Sequence, residues 1–253
     1  VSMTGTTAAA ADVILVNADT ASLITSTVGT LTGSAADLKT VLAANDGAQL
    51  TGFETVAVTI DSPGASVADA NTISAATSGV VSGAISTTDM ATLKTLGETG
   101  NAYTVTVADT TITAADLKTL DSKTTGTVTV SAATNISGAL SDLKAIYEAN
   151  TVGQITGLGD EVISITDSGE VLAADLHKVN TLNSGVFSAN SVTSVKGSVV
   201  DLLKVYSSGN TAGVIAGLGS ENLIITDTGT VAAGDINTLD GLTTGTITAS
   251  AVT

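Results

Sequence analysis

Threonine and valine alternate through TGTVTVSAAT (125–134), the period-two pattern of a half-buried strand, with Val128 and Val130 on one face and Thr127 and Thr129 on the other. The period then changes. In SGALSDLKAIYEANT, Leu140, Leu143, Ile146 and Tyr147 recur at three- and four-residue steps, which predicts one apolar stripe of a short helix. Gly138 stands before that helix, and Asn150 and Gly153 act as its stop signals. QIT next reads as a brief strand, GLGDE as a turn and VISITD as a second strand. GEVLAADLHKVNTLNSG follows as another helix with Leu176, Val179 and Leu182 on one face. The same stripe returns as Ile236, Leu239 and Leu242, and as Leu117 and Leu120.

These elements belong to a repeat. TVGQITGLGDEVISITDSGEVLAADL (151–176) returns as TAGVIAGLGSENLIITDTGTVAAGDI (211–236). QLTGFETVAVTIDSPGASVADANTI (49–73) is a third copy with Phe53 in the place of Leu158, and a shortened copy without the Gly-Leu-Gly turn runs through 88–120. Aspartates at the starts of helix-like stretches fall at positions 37, 69, 89, 116, 142, 175, 201 and 235, and the spacing of the last five alternates 26, 33, 26, 34. The elementary unit is about 30 residues, paired into repeats of about 60. Strand plus helix in series implies parallel strands joined by crossovers. The predicted fold class is therefore α/β, a repeat solenoid of parallel strands with short crossover helices. Residues 1–30 form an N-terminal strand or cap segment, with ADVILV (11–16) read as a strand, and residues 31–253 form the solenoid, in units of about 31–84, 85–135, 136–194 and 195–253. Strands stack at about 4.8 Å while helices need about 10 Å, so helices must either alternate between two positions or bend the array.

Composition narrows the function classes. The chain of 253 residues has no Cys and no Trp, and 24 acids against 8 basic residues give a net charge of −16. That charge repels phosphate backbones, so no nucleic-acid partner is expected. No apolar run is long enough for a membrane span. Disorder is disfavoured, because apolar residues are plentiful and periodic and there is only 1 Pro. The start at Val1 suggests a processed chain or a segment of a longer one. GTITASAVT stops where earlier copies run on into VKG or ISG, so a segment of a longer array, or an end face docking on another copy, is expected there.

ITGLGDEVISITDSGEVLAADL and TTGTITASAVT resemble repeats of giant extracellular or cell-surface proteins of marine cyanobacteria and related bacteria, over residues from about 28 to 253. What the resemblance implies is an extracellular or cell-surface location and a structural or adhesive role. The calcium-binding nonapeptide GGxGxDxUx found in some such proteins is not matched by GLGDE or GLGSEN.

Asp61, Asp109, Asp167 and Asp227 form the clearest polar column, each ending a strand before a turn. Two readings stand: Asx-turns or helix caps, or a calcium ladder, which Glu54, Glu161 and Glu221 of the turns would supplement. Calcium is the one cofactor the column suggests. The helix aspartates complement helix dipoles. Lys39, Lys94, Lys118, Lys144 and Lys204 read as an exposed row that pairs weakly with acids, or meets acids of a neighbouring molecule. His177, the lone histidine, reads as a surface residue. The Thr columns suit a soluble strand face or an ice-binding array. With no nucleophile motif and no expected cleft, no enzymatic activity is predicted. The expected role is structural: a homo-oligomer or filament, building a fibre, surface layer or appendage end to end, with Val13 and Leu15 of one copy meeting Ile247 and Val252 of another. The alternative is an adhesin or phage-fibre-like binding or spacer module, stabilised by calcium in one version.

Overall fold

A computed structural model describes residues 1–45, 49–210, 215–250 and 252. The chain order is β1 (Ser2–Met3), β2 (Thr7–Ala9), α1 (Ala10–Asp19), β3 (Ile24–Ser26), β4 (Thr30–Gly33), α2 (Ala35–Ala44), β5 (Leu50–Thr51), β6 (Ala57–Ile60), α3 (Val67–Ala75), β7 (Val81–Ala84), α4 (Met90–Leu93) and β8 (Ala102–Thr106). There follow β9 (Thr111–Thr113), α5 (Ala114–Asp121), β10 (Val128–Thr129), β11 (Asn135–Gly138), α6 (Leu140–Thr151), β12 (Ile155–Thr156), β13 (Val162–Ile165), β14 (Glu170–Leu172), α7 (Ala173–Leu182), β15 (Phe187–Ser188) and β16 (Ser194–Gly197). The last elements are α8 (Val199–Leu203), continued by a π-helical stretch Lys204–Asn210, then β17 (Ile215–Ala216), β18 (Asn222–Ile225), α9 (Ala233–Asp240) and β19 (Ile247–Thr248).

The chain forms two compact units, Val1–Asp109 with Thr119–Ser131, and Thr110–Lys118 with Ala132–Thr253. In unit 1, β1, β3 and β5 make one parallel sheet. A second runs β2, β4, β6, β7, β8, β10, again parallel throughout. The registers step regularly along the chain: Thr7 faces Thr30, Thr30 faces Ala57, Val58 faces Val81 and Val105 faces Val128. Helices α1, α2 and α3 pack in succession on one another. In unit 2, β9, β11, β13, β15 and β17 form one parallel sheet, and β14, β16, β18 and β19 another. Here α6 packs on α7, α7 on α8 and α8 on α9. The α/β class with parallel strands is thus present in both units.

The alternating pattern explains the core. Ile112, Ile136, Ile163, Phe187 and Ile215 are register partners in turn, a single column across unit 2 with every member buried. Burying each such side chain contributes about 1.5–3 kcal/mol. The helix stripes close against these columns: Leu140, Leu143, Ile146 and Tyr147 of α6 are buried, as are Leu176 and Val179 of α7. In unit 2, α6, α7, α8 and α9 follow one another along the chain and each contacts the next. The longer spacing from Asp142 to Asp175 is taken up by the extra strand β14 between β13 and α7.

The lead segment differs from its sequence reading. Residues 11–16 lie inside helix α1, not in a strand. Ala10 and Val13 are its fully buried positions, one helical turn apart, and α1 lies against α2. Tertiary packing and the alanine run Ala8–Ala11 override the β-propensity of Val13, Ile14 and Val16. The segment also carries β1 and β2, which pair with β3 and β4 inside unit 1.

Candidate functional site

The polar side chains of this chain gather where one strand–helix layer meets the next. Three sets of contacts make up that seam.

The first set caps helices across layers. The first amide of a helix has no intrahelical acceptor and needs a partner. Asp109 Oδ2 accepts the Met90 N–H at 2.7 Å, Asp167 Oδ2 accepts the Leu140 N–H at 2.7 Å, and Asp227 Oδ2 accepts the Val199 N–H at 2.7 Å. Each carboxylate therefore serves the helix of the preceding layer, 19, 27 and 28 residues back. Thr87 Oγ1 does the same for the Val67 N–H at 3.3 Å. Asp61, the fourth member of the column, joins the seam through its backbone, donating its N–H to Gly33 O and accepting from the Gly64 N–H. Within their own helices, Ser34 with Asp37, Ser66 with Asp69 and Ser198 with Asp201 form reciprocal N-terminal boxes.

The second set is ionic. Lys39 pairs with Asp69, Lys118 with Asp142 at 2.6 Å and Lys144 with Asp175 at 3.9 Å. In each case a helix lysine reaches the first-turn aspartate of the next helix. Of the lysine row expected to meet acids, Lys39, Lys118 and Lys144, with Lys204 on Asp201 of its own helix, thus meet acids of the same chain. The Lys39 ammonium and the Ser66 hydroxyl hold the Asp69 carboxyl below the usual carboxylate range. Lys144 also bonds Glu148, and Lys196 pairs with Glu170.

The third set lies under the turns. Thr77 Oγ1 donates to Val56 O at 2.6 Å, Thr124 Oγ1 to Tyr103 O at 2.7 Å, Asn183 Nδ2 to Glu161 O at 3.0 Å and Thr243 Oγ1 to Glu221 O at 2.8 Å. All four donors are buried. Each begins a three-residue stretch ending in glycine (79, 126, 185 and 245), and a Cβ on that glycine would stand 2.2–2.3 Å from the carbonyl oxygen of Val56, Tyr103, Glu161 or Glu221. Only a hydrogen fits there.

Two of these turns bury a carboxylate. Glu161 is 1% exposed, and accepts the Tyr147 O–H at 2.7 Å and the Gly159 N–H at 3.0 Å on Oε2. Glu221 is 2% exposed, and its Oε2 accepts the Tyr206 O–H at 3.0 Å and the N–H groups of Gly219 at 2.7 Å and Ser220 at 3.2 Å. Burial, with the facing carboxylate, pushes both phenols well above their ordinary pKa. Glu54, grouped with these two on sequence, is exposed instead, and backbone N–H groups hold its carboxyl below the usual range. The Tyr–Glu pairs were not legible as pairs beforehand; the available signal was that two of the chain's three tyrosines precede a Gly-Leu-Gly-x-Glu turn.

The remaining predicted positions are distributed as follows. Among the described residues, no group of three or more His, Asp or Glu side chains comes together to hold a metal ion. His177 is only half-exposed, and its Nδ1 is buried with no hydrogen-bond partner, so it faces the protein more than the reading as a surface residue allowed. Of the junction residues, Val13 is 0% exposed, a core residue of α1 that presents no surface to a second copy. Leu15 is exposed, Ile247 is half-buried in β19, and Val252 is half-buried in a bridge to Gly229. Ala251 and Thr253 of the 246–253 stretch lie outside the described residues. No described helix is long and apolar enough to cross a membrane.

Comparison of the chain with protein-family models, with curated proteins and with solved structures finds no match.

Proposed function

We propose that this chain is a structural repeat element of an extracellular or cell-surface protein: a solenoid with an elementary unit of about 30 residues that extends a fibre, surface layer or appendage. The observation that carries this reading is the seam. Capping aspartates, lysine–aspartate rungs and buried threonine and asparagine clamps recur between neighbouring layers and hold one layer to the next. Chemistry of this kind makes a stiff, regular body. The acidic surface, at a net charge of −16, limits lateral clumping of such bodies while leaving their ends free to join.

The test is negative-stain electron microscopy of the purified chain over a concentration series. Rods of uniform width that lengthen with concentration are expected. Discrete particles of constant size at the highest concentration reached would remove end-to-end assembly.

A further inference from the structure

At three places a glycine at the end of a strand lies on an alanine that opens the preceding helix. A Cβ on Gly33 would stand 3.0 Å from the Cβ of Ala10, one on Gly138 2.8 Å from that of Ala114, and one on Gly197 2.8 Å from that of Ala173. Carbon atoms do not approach so closely without displacement. Each alanine is 0% exposed beneath its glycine. The layers therefore come in matched faces, an alanine face below and a glycine strand above.

The alanine face occurs a fourth time. Ala233 in VAAGDI corresponds to Ala173 in VLAADL. No glycine strand lies over it among the described residues: Ala232, Ala233, Gly234 and Asp235 are exposed and Ile236 is half-exposed, whereas Leu176 at the matching place in α7 is 0% exposed. The sheet edge leading to this face is already laid down. Leu223 of β18 pairs with Ile247, and Val252 bridges Gly229 just before α9.

We propose that the face of α9 around Ala233 is a docking site for one further strand–helix segment of the pattern apolar-x-Gly, the pattern of Ile136-Ser137-Gly138 and Val195-Lys196-Gly197. The occupant is defined by its glycine. The inference rests on the repeat-element reading above, and it narrows what that element accepts at this face.

The experiment extends the full chain after Thr253 with a copy of residues 135–151, which follow Thr134 as the extension follows Thr253. One version carries the natural glycine and the other carries Gly138→Val in the appended copy. Amide hydrogen exchange is followed in α9, with α7 as the internal control for an intact fold. The glycine version is expected to slow exchange in α9 by about tenfold or more relative to the unextended chain, and the valine version to leave it unchanged. Equal slowing by both versions, or slowing by neither while α7 stays protected, overturns the proposal. Filaments of the unextended chain without glycine-dependent protection would sink this inference and spare the fibre reading. Glycine-dependent protection without filaments would do the reverse.

Discussion

Unit 1 and unit 2 fill the same buried position with opposite chemistry. Glu161 stands one residue before β13, and Val56 stands one residue before β6, with the same kind of clamp on its carbonyl, from Thr77 in one case and Asn183 in the other. In unit 2 the helix supplies Tyr147, the residue that Tyr206 matches in the next turn of this type, and the phenol donates to the carboxylate. In unit 1 the corresponding helix position, counted from the first-turn aspartate, is Leu42, which is buried. The pair changes together, Leu with Val or Tyr with Glu. The lesson is energetic. A buried carboxylate without a donor costs several kcal/mol, whereas a matched apolar pair of similar size stands roughly level with a matched polar pair.

The largest effect is expected from crossing the pairs. Val56→Glu places a carboxylate in unit 1 with no phenol at the helix position. The loss should be about 4 kcal/mol or more, enough to open that unit, read as loss of amide protection in α2 while α6 stays protected. Next comes Tyr147→Phe, which takes the phenol from buried Glu161 and leaves it the Gly159 N–H, and should cost about 2–4 kcal/mol. The double variant Tyr147→Leu with Glu161→Val carries the unit 1 pair into unit 2. It should recover most of that loss, and strict additivity of the two single changes would show that the pair is not coupled.

A pH experiment sharpens the same contrast. The Tyr147 and Tyr206 phenols have folded-state pKa values raised above the ordinary value of about 10. The unfolded chain therefore gives up these protons first as pH rises. Stability is fully present below pH of about 10 and falls as pH climbs beyond it. Unit 2 of the wild type should loosen at alkaline pH more steeply than unit 2 of the double variant carrying Tyr147→Leu and Glu161→Val, by hydrogen exchange corrected for intrinsic rates. Identical slopes would mean that these phenols ionise without opening the fold.

Much of the fold could be read from residues alone, and the exceptions share a cause. Val128 and Val130 are buried as their alternation predicts, and the stripe Leu140, Leu143, Ile146, Tyr147 faces inward as its period predicts. Those patterns are local, so a short window contains them. Residues 11–16 misled because Val13, Ile14 and Val16 favour strands locally, while the helix α2 that stabilises α1 lies in the next layer. The site was legible in part. The polar column was visible, and one of its two readings was helix capping, but the capped amides of Met90, Leu140 and Val199 lie a whole layer back in the chain. Burial of Glu161 was hidden for the same reason: its donor sits on the preceding helix, and a carboxylate in a glycine-rich turn reads as solvent-exposed until that helix is in place.

The capping column supplies the smaller predictions. Asp167→Ala removes the acceptor of the Leu140 N–H at the start of α6 and should cost about 1 kcal/mol, close to the effect of losing an ordinary N-cap. Asp61→Ala should cost clearly less, since Asp61 meets the neighbouring layer through its backbone. Equal losses at both positions would mean that the carboxylates act through charge and not through the cap. Calcium separates the readings again: if these aspartates are caps, millimolar Ca²⁺ leaves the melting temperature in place, whereas a ladder of calcium sites raises it and Asp167→Ala abolishes the rise.

The smallest effect is expected at the lysine rungs. Lys118 and Asp142 stand 2.6 Å apart, yet the lysine side chain is 55% exposed, so solvent screens most of the attraction. Lys118→Ala should lower stability by about 0.5 kcal/mol or less, with the difference fading as salt approaches 1 M and the screening length shrinks to about 3 Å. Salt-insensitive loss of more than about 1 kcal/mol would instead make the lysine stem, packed along the helix, the part that matters. In that case the rungs would belong with the buried clamps as members of the seam, and not with its exposed rim.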